Sequence, residues 1–213
     1  MAGSNFKHLK SQRHFWVGGL PGGDTGLKRV FQIQFLKKHG LRPHHYLLDV
    51  GCGTLRGGIP IIKYLDRDRY YGIEARDFVL KEGRLELKES KLEHKNPTLS
   101  VSDKFQVPGD QQFDFIWAFS VLMHLTNEKL RRCFASLGSR LHSKGVFYAN
   151  TTETGRDKTW QGYPIKGHSL ERCINIGEQF NLKVKSIGTL EKLGHVSGHE
   201  LQDNQLMLKI TRK

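Results

Sequence analysis

The sequence predicts an α/β protein in which a mostly parallel sheet carries helices on both faces and ends in an antiparallel hairpin. From residue 46 onward, short apolar runs alternate with segments of helical spacing, which is the βαβ pattern of a parallel sheet. The last two apolar runs, 182–188 and 205–210, have no predicted helix between them, so we expect them to pair antiparallel. Ligands of such sheets bind at the carboxyl ends of the strands.

Each element follows from its local pattern. Residues 27–39 place apolar side chains at helical spacing, and Gly40 ends that helix. A buried strand over 46–50 ends at Gly51. The elements predicted after it are a helix over 57–65, a strand at 70–73, a charged helix over 77–91, strands at 98–101 and 113–118, a helix over 127–141 and a strand at 145–149. We expect residues 1–39 to form an N-terminal arm and helix, as a lid or appendage, and residues 40–213 to form one domain.

Composition limits the class of protein. The 213 residues suffice for one core, and no window approaches the roughly 20 apolar residues needed to cross a bilayer. The start shows no secretory pattern, and three scattered cysteines suit neither a disulfide framework nor a zinc site, so we expect a cytoplasmic protein without metal or membrane partners. The formal charge of +13 would attract anions, but it is spread along the chain and is typical of a solvated basic surface.

Residues 48–58, which we call the glycine turn, join the first strand to the next helix. Gly51 and Gly53 let the backbone of this turn approach a ligand closely and aim helix N–H groups at it. Asp49 lies inside an otherwise apolar strand, so its carboxylate should have polar partners at the strand tip. Glycines alone are weak evidence, because many strand-to-helix turns contain them for conformational reasons.

Acidic residues follow the next two strands. Glu74 ends the second strand, where a carboxylate can accept hydrogen bonds from the two ribose hydroxyls of an adenosine. Asp103 follows the third strand and could accept from an adenine amino group, with Phe105 against the ring. Together with the glycine turn, these positions indicate a nucleoside-containing ligand.

Over residues 40–213 the chain resembles the class I S-adenosylmethionine-dependent methyltransferases. The resemblance rests on Leu48-Asp49-Val50-Gly51-Cys52-Gly53, Glu74, Ser102-Asp103, and Phe113-Asp114-Phe115-Ile116 through His124-Leu125. It implies a Rossmann-like, seven-stranded sheet and S-adenosylmethionine as cofactor, with Asp49, Gly51 and Gly53 around its methionine part, Glu74 at the ribose and Asp103 at the adenine. The cofactor-binding residues it predicts are Asp49, Gly51, Cys52, Gly53, Arg56, Glu74, Ala75, Ser102, Asp103, Phe105, Phe119 and Ser120.

One position departs from the family. Leu55 stands where the family usually has a third glycine, so the turn should be shaped differently there, and Arg56 could hold a carboxylate of the cofactor or of the protein. A dinucleotide-binding fold is the competing interpretation. It fits less well, since it explains neither Asp49 nor the terminal hairpin.

Candidates for chemistry follow the fourth and fifth strands. His124 and His168 are candidate acid/base residues, although a histidine in the position of His124 more often only packs against or braces the loop. The polar segment 150–168 reads as a long loop, whose Trp160, Tyr163 and Arg156 could line an acceptor pocket. In the arm, Phe15 and Trp16 could fold over the cofactor as a lid or could tether the arm to the surface of the core.

The acceptor is predicted to be a small molecule, such as a sugar or another secondary metabolite, that is methylated on oxygen or nitrogen. An anionic acceptor is one version of this prediction. The chain lacks a Pro-Cys pair and the Asn/Asp-Pro-Pro-Tyr/Phe signature, since Phe119-Ser120-Val121-Leu122 stands there. Two alternatives stay open: methylation of RNA or protein, favoured by the basic surface, and a non-catalytic module that binds S-adenosylmethionine. The sequence does not indicate the oligomeric state.

Overall fold

A computed structural model describes residue 13 and residues 25–153, 158–160 and 163–213. Its helices, numbered in chain order, are α1 (Thr25–Lys38), α2 (Gly58–Tyr64), α3 (Asp77–Glu89), α4 (Asn127–Arg140), α5 (Leu170–Glu178) and α6 (Glu200–Asp203). Its strands are β1 (Leu47–Val50), β2 (Tyr70–Glu74), β3 (Thr98–Val101), β4 (Phe113–Ala118), β5 (Leu141–Thr151), β6 (Lys158–Trp160), β7 (Tyr163–Ile165), β8 (Leu182–Thr189) and β9 (Leu206–Arg212). Short 3₁₀ turns lie at Glu93–Lys95 and Leu122–His124.

Seven strands form one sheet in the order β3-β2-β1-β4-β5-β9-β8. The pairs from β3 through β5 are parallel, and β9 runs antiparallel to both β5 and β8. The predicted fold class is therefore confirmed, including the antiparallel end. The carboxyl ends of β1, β2, β3, β4, β5 and β8 lie at one edge, which we call the carboxyl edge.

Two hydrophobic cores lie on the two faces of this sheet. Successive residues of the central strands alternate between them: Leu47 and Trp117 belong to the core beneath α1, α2 and α3, whereas Leu48 and Ile116 belong to the core beneath α4 and α5. Both faces are covered, so β1 is buried at all four positions. This explains why its sequence reads as a continuous apolar run rather than an alternating one.

Three predictions about local structure are wrong. The connection between β8 and β9 contains the short helix α6, which is too brief to produce a helical period in the sequence. The fifth strand begins at Leu141 rather than at residue 145, because its first residues, 142–144, are exposed and polar. The segment 150–168 is not wholly a loop, since β6 and β7 pair as an antiparallel hairpin.

Helix α1 is fixed above the glycine turn. Gln32 on α1 accepts a hydrogen bond from Trp117 Nε1 at 2.8 Å, and both side chains are buried. A Cβ atom at Gly57 would lie 2.4 Å from Gln32 Oε1, so the helix approaches this turn as closely as a glycine allows. Arg29 on the same helix donates to the carbonyl oxygen of Arg56 at 3.0 Å. Packing of α1 therefore positions the turn.

Arg13 forms ion pairs with α3. Its buried guanidinium lies 2.8–3.0 Å from carboxylate oxygens of Glu82, Glu86 and Glu89, which follow one face of the helix.

No helix among the described residues is long and apolar enough to span a membrane.

Candidate active site

The glycine turn lies at the carboxyl edge of β1. Gly51 and Gly53 have positive φ angles of 68° and 56°, which glycine adopts without strain. The amides of Gly51 and Cys52 both donate to Ile73 of β2, at 2.8 and 3.1 Å. A Cβ atom at Gly51 would lie 2.6 Å from Val121 Cγ2, in the segment after β4. Gly51 and Gly53 therefore lie in a tight turn, and their contact with a cofactor stays a prediction.

Leu55 gives the turn its own shape, as its departure from the family pattern predicts. This leucine has a φ angle of 58°, an uncommon conformation for a bulky residue, and its side chain is fully buried. The side chain packs between Gly58 and Gly83, where a Cβ atom at either glycine would lie within 3.2 Å of it. Burial of an apolar side chain thus compensates for the conformational cost that a glycine would avoid.

Leu55→Ala is expected to lower the free energy of unfolding by about 2–5 kcal/mol, because it leaves a cavity in a dense core. Leu55→Gly should be the less destabilised of the two, because glycine regains about 1–2 kcal/mol at positive φ. Urea denaturation of both variants measures the difference. A glycine variant less stable than the alanine variant would contradict the strain at this position.

Asp49 is buried in β1 and its carboxylate accepts a hydrogen bond from Tyr70 Oη at 2.6 Å, which confirms the expected polar partner. Burial raises the pKa of Asp49 to about 7, Tyr70 opposes that rise, and the nearby Glu74 adds to it. The carboxyl group of Asp49 therefore titrates near neutral pH, so its charge depends on the pH in that range.

Asp49→Asn is expected to change the pH dependence of stability. Between about pH 4 and the folded pKa of about 7, folded Asp49 keeps a proton that the unfolded chain has lost, so stability falls as pH rises and levels off above that window. The change amounts to at most about 4 kcal/mol. Urea denaturation across this range should give a smaller decline for Asp49→Asn, which keeps an acceptor for Tyr70. Parallel curves for the two proteins would refute the raised pKa.

Glu74 ends β2 with a buried carboxylate that is held in place from two sides. Oε2 accepts from the amide of Gly53 at 3.1 Å, while Oε1 accepts from Arg76 N at 3.1 Å and Arg76 Nε at 2.8 Å. A carboxylate has about four acceptor positions, so these bonds leave capacity for about one more donor. The side chain is therefore rigid and still able to accept from a ligand.

The segment after β3 reaches the same edge. Ser102 N donates to the carbonyl oxygen of Glu74 at 2.9 Å, and the exposed Asp103 follows it. Ala75, directly after Glu74, is exposed too. Phe105 is buried in the core beneath α4 and α5, so its contact with an adenine ring stays a prediction. The structure thus brings the predicted acids together at one edge of the sheet.

Phe119 and Ser120 follow β4 at the middle of the carboxyl edge. Ser120 has a φ angle of 59°, and its amide donates to Asn150 Oδ1 at 2.6 Å. The amide group of Asn150 donates in turn to Gln205, a buried pair that fastens the end of β5 to the segment before β9. Sequence reasoning missed Asn150, whose only signal was its place at the end of an apolar strand.

The two predicted acid/base histidines both bond to backbone carbonyl groups. His124 Nδ1 donates to Pro164 at 2.9 Å, and the buried His168 Nε2 donates to Leu125 at 3.0 Å. Burial is the main cause that lowers the pKa of each imidazole. The His124 contact braces the β6–β7 hairpin, and the His168 contact braces the segment after it, against the turn after β4. A catalytic role for either residue stays a prediction.

The other predicted positions give less detail. The backbones of Trp160 and Tyr163 face each other across the β6–β7 hairpin. Arg156, Phe15 and Trp16 lie outside the described residues. Cys52 is buried, and burial raises the pKa of its thiol far above the usual range, so it is protonated and unsuited to act as a nucleophile.

Three side chains that the sequence analysis did not single out, Lys28, Phe31 and His195, lie near the predicted residues Arg56 and Phe119. Lys28 on α1 is close to Arg56 of the turn, and burial, followed by repulsion from Arg56, lowers the pKa of Lys28 to about 8. Burial also lowers the pKa of Arg56 to about 10. The ring of His195 lies 5.2 Å from that of Phe31 and 5.8 Å from that of Phe119, between centroids. These residues come from α1, the end of β4 and the β8–β9 connection.

Known proteins share this architecture. A family described as "Methyltransferase domain" matches residues 48–147. A S-adenosylmethionine-dependent methyltransferase from Clostridium acetobutylicum is 12% identical, with a TM-score of 0.68, 98% of this chain covered and 98% of that one. Magnesium protoporphyrin IX methyltransferase from Synechocystis, with bound S-adenosylmethionine, is 14% identical, with a TM-score of 0.68 and coverages of 99% and 92%. The glycopeptide N-methyltransferase MtfA in complex with S-adenosylmethionine is 14% identical, with a TM-score of 0.64 and coverages of 90% and 95%. No curated protein sequence matches the chain significantly.

The fold and the matched domain define a methyltransferase. Residues 48–147 match a methyltransferase domain and the chain has the fold of S-adenosylmethionine-dependent methyltransferases, in agreement with the resemblance, and its cofactor is S-adenosylmethionine.

Proposed function

We propose that this enzyme transfers a methyl group from S-adenosylmethionine to a small-molecule acceptor. The observation that carries the acceptor class is the aromatic wall of Phe31, Phe119 and His195, whose rings meet beside the end of β4 and of which Phe119 is the partly exposed member. Such a wall favours a compact, partly apolar acceptor over an extended polymer. The small acceptors named for the porphyrin and glycopeptide enzymes of the same fold agree with this proposal.

The residues at the carboxyl edge fit the cofactor. The turn at Gly51 is too tight for a side chain, since a Cβ atom there would lie 2.6 Å from Val121 Cγ2, and Glu74 is positioned to accept from a ribose hydroxyl. Asp103 is exposed beside it, as an adenine amino group would require. Lys28 and Arg56 are assigned to the cofactor carboxylate, because an anion beside them would offset the repulsion between two partly desolvated cations.

When bound, S-adenosylmethionine supplies a methyl group that is already activated by its positive sulfur. The protein therefore acts mainly by positioning an acceptor atom in line with that methyl group and excluding water, which can lower the barrier by roughly 7–11 kcal/mol. We assign the aromatic wall to the acceptor side, together with Trp160 and Tyr163 of the β6–β7 hairpin. The hairpin is tied to the end of β4 through His124 and Pro164.

The test uses tritium-labelled S-adenosylmethionine and cell extract separated into dialysable, RNA and protein fractions. The proposal expects label to enter the dialysable fraction in proportion to enzyme. Transfer into RNA or protein instead would overturn the small-molecule acceptor and support the alternative suggested by the +13 charge. Binding of the cofactor without transfer to any fraction would support a non-catalytic module.

A further inference from the structure

His195 lies in the connection between β8 and β9, on the carboxyl edge. Its side chain is 1% exposed and is packed between Phe31 of α1 and Phe119 at the end of β4. A ring this deeply buried usually bonds to the protein through its nitrogens. Within the described part of the chain, neither Nδ1 nor Nε2 has a hydrogen-bond partner.

One of the two ring nitrogens faces a carboxylate. His195 Nδ1 lies 3.5 Å from Oδ1 of Asp203, on α6. Asp203 is itself held firmly, since Oδ1 accepts from the amide and hydroxyl of Ser197 at 2.8 and 2.7 Å, and Oδ2 accepts from the amide of Gly198 at 3.0 Å. Burial raises the pKa of Asp203, but these hydrogen bonds outweigh it and bring the pKa below the usual value. Asp203 is therefore ionised at neutral pH.

This arrangement selects one form of the imidazole. A carboxylate beside Nδ1 favours the tautomer with the proton on Nδ1, which leaves a lone pair on Nε2. Burial lowers the pKa of His195, Lys28 lowers it further, and Asp203 partly opposes them. The ring is therefore neutral at physiological pH and can accept a proton at Nε2.

We propose that His195 is the general base of the methyl transfer, that Asp203 is its positioning residue, and that the acceptor is a hydroxyl compound. The proposal rests on the methyl transfer proposed above. Nε2 takes the hydroxyl proton as the acceptor oxygen bonds to the methyl carbon, and the electron pair of the broken sulfur–carbon bond remains on sulfur. The imidazolium formed on His195 faces the Asp203 carboxylate and afterwards releases its proton to water. A carboxylate acceptor has no proton to lose and would need no base.

Nitrogen-15 NMR of the histidine rings tests the arrangement without turnover. We expect His195 to carry its proton on Nδ1, and saturating S-adenosylhomocysteine to shift its ring signals while those of the exposed His142 stay in place. In Asp203→Asn the preference for the Nδ1 tautomer should be lost. A wild-type His195 protonated on Nε2, or one unaffected by S-adenosylhomocysteine, would overturn the proposal.

Kinetics test the base itself on an acceptor methylated by the wild type. His195→Gln should lower kcat by about 10²–10⁴-fold and remove the acidic limb of its pH profile, with S-adenosylhomocysteine bound within about threefold of wild type by calorimetry. Asp203→Asn should lower kcat less, and His142→Gln should match the wild type. An unchanged kcat in His195→Gln would overturn this proposal alone. Failure of the wild type to bind S-adenosylhomocysteine would overturn the proposed function.

Discussion

Glu74→Ala is expected to weaken binding of S-adenosylhomocysteine by about 10–100-fold, because a hydrogen bond to a charged group contributes about 1.5–3 kcal/mol. The loss has two parts. The variant removes the acceptor proposed for the ribose, and it leaves the amide of Gly53 without the carboxylate that now holds it at 3.1 Å. Isothermal calorimetry measures the change in affinity directly.

Glu74→Gln separates these two parts. Its amide oxygen can still accept from Gly53, but the charge that pairs with Arg76 at 2.8 Å is gone. We expect it to bind more tightly than Glu74→Ala and more weakly than the wild type. Glu93→Ala removes the same charge from an exposed position and serves as the control. Wild-type affinity in Glu74→Ala, with an unchanged melting temperature, would show that the carboxylate does not contact the cofactor.

The cofactor side of the site could be predicted because it depends on the ends of neighbouring parallel strands. Gly51, Glu74 and Asp103 each follow a recognisable apolar run, and the carboxyl ends of parallel strands must share one edge. The same argument predicts a polar partner for Asp49, although not that the partner is Tyr70, since that depends on strand register.

The acceptor side could not be predicted in this way. Phe31 and His195 are brought together by the docking of α1 and by the β8–β9 connection, and the same docking brings Lys28, which is assigned to the cofactor, near His195. No local sequence pattern predicts either contact. His195 also depends on α6, a helix of four residues that positions Asp203 and is too short to be detected by periodicity. The more conspicuous histidines, His124 and His168, instead bond to backbone carbonyl groups.

The residues proposed for the cofactor and those proposed for the acceptor are held by different contacts, so we expect substitutions in the two sets to have different effects. Residues on the strand ends are held by the sheet itself, whereas those of the aromatic wall depend on contacts between distant segments. Asn150 and Gln32 link the two sets, through Ser120 and Trp117 respectively. Changes at such links should alter acceptor turnover before they abolish cofactor binding.

Gly51→Val is expected to abolish detectable binding of S-adenosylhomocysteine, a loss of more than about 100-fold. Two effects combine at this position. Valine is strained at a φ angle of 68°, at a cost of about 1–3 kcal/mol, and its Cβ atom would lie 2.6 Å from Val121 Cγ2. The side chain must therefore displace the turn or extend into the space proposed for the cofactor.

Gly109→Val provides a matched control. Gly109 has a similar φ angle of 70°, but a Cβ atom added there would meet no atom within 4 Å, so valine brings the strain without the collision. We expect it to lose stability and to keep its affinity for S-adenosylhomocysteine. If Gly51→Val fails to fold, the double variant Gly51→Ala with Val121→Ala places one methyl group on Gly51 without the contact to Val121 Cγ2. Wild-type affinity in that double variant would refute the close approach of the cofactor to Gly51.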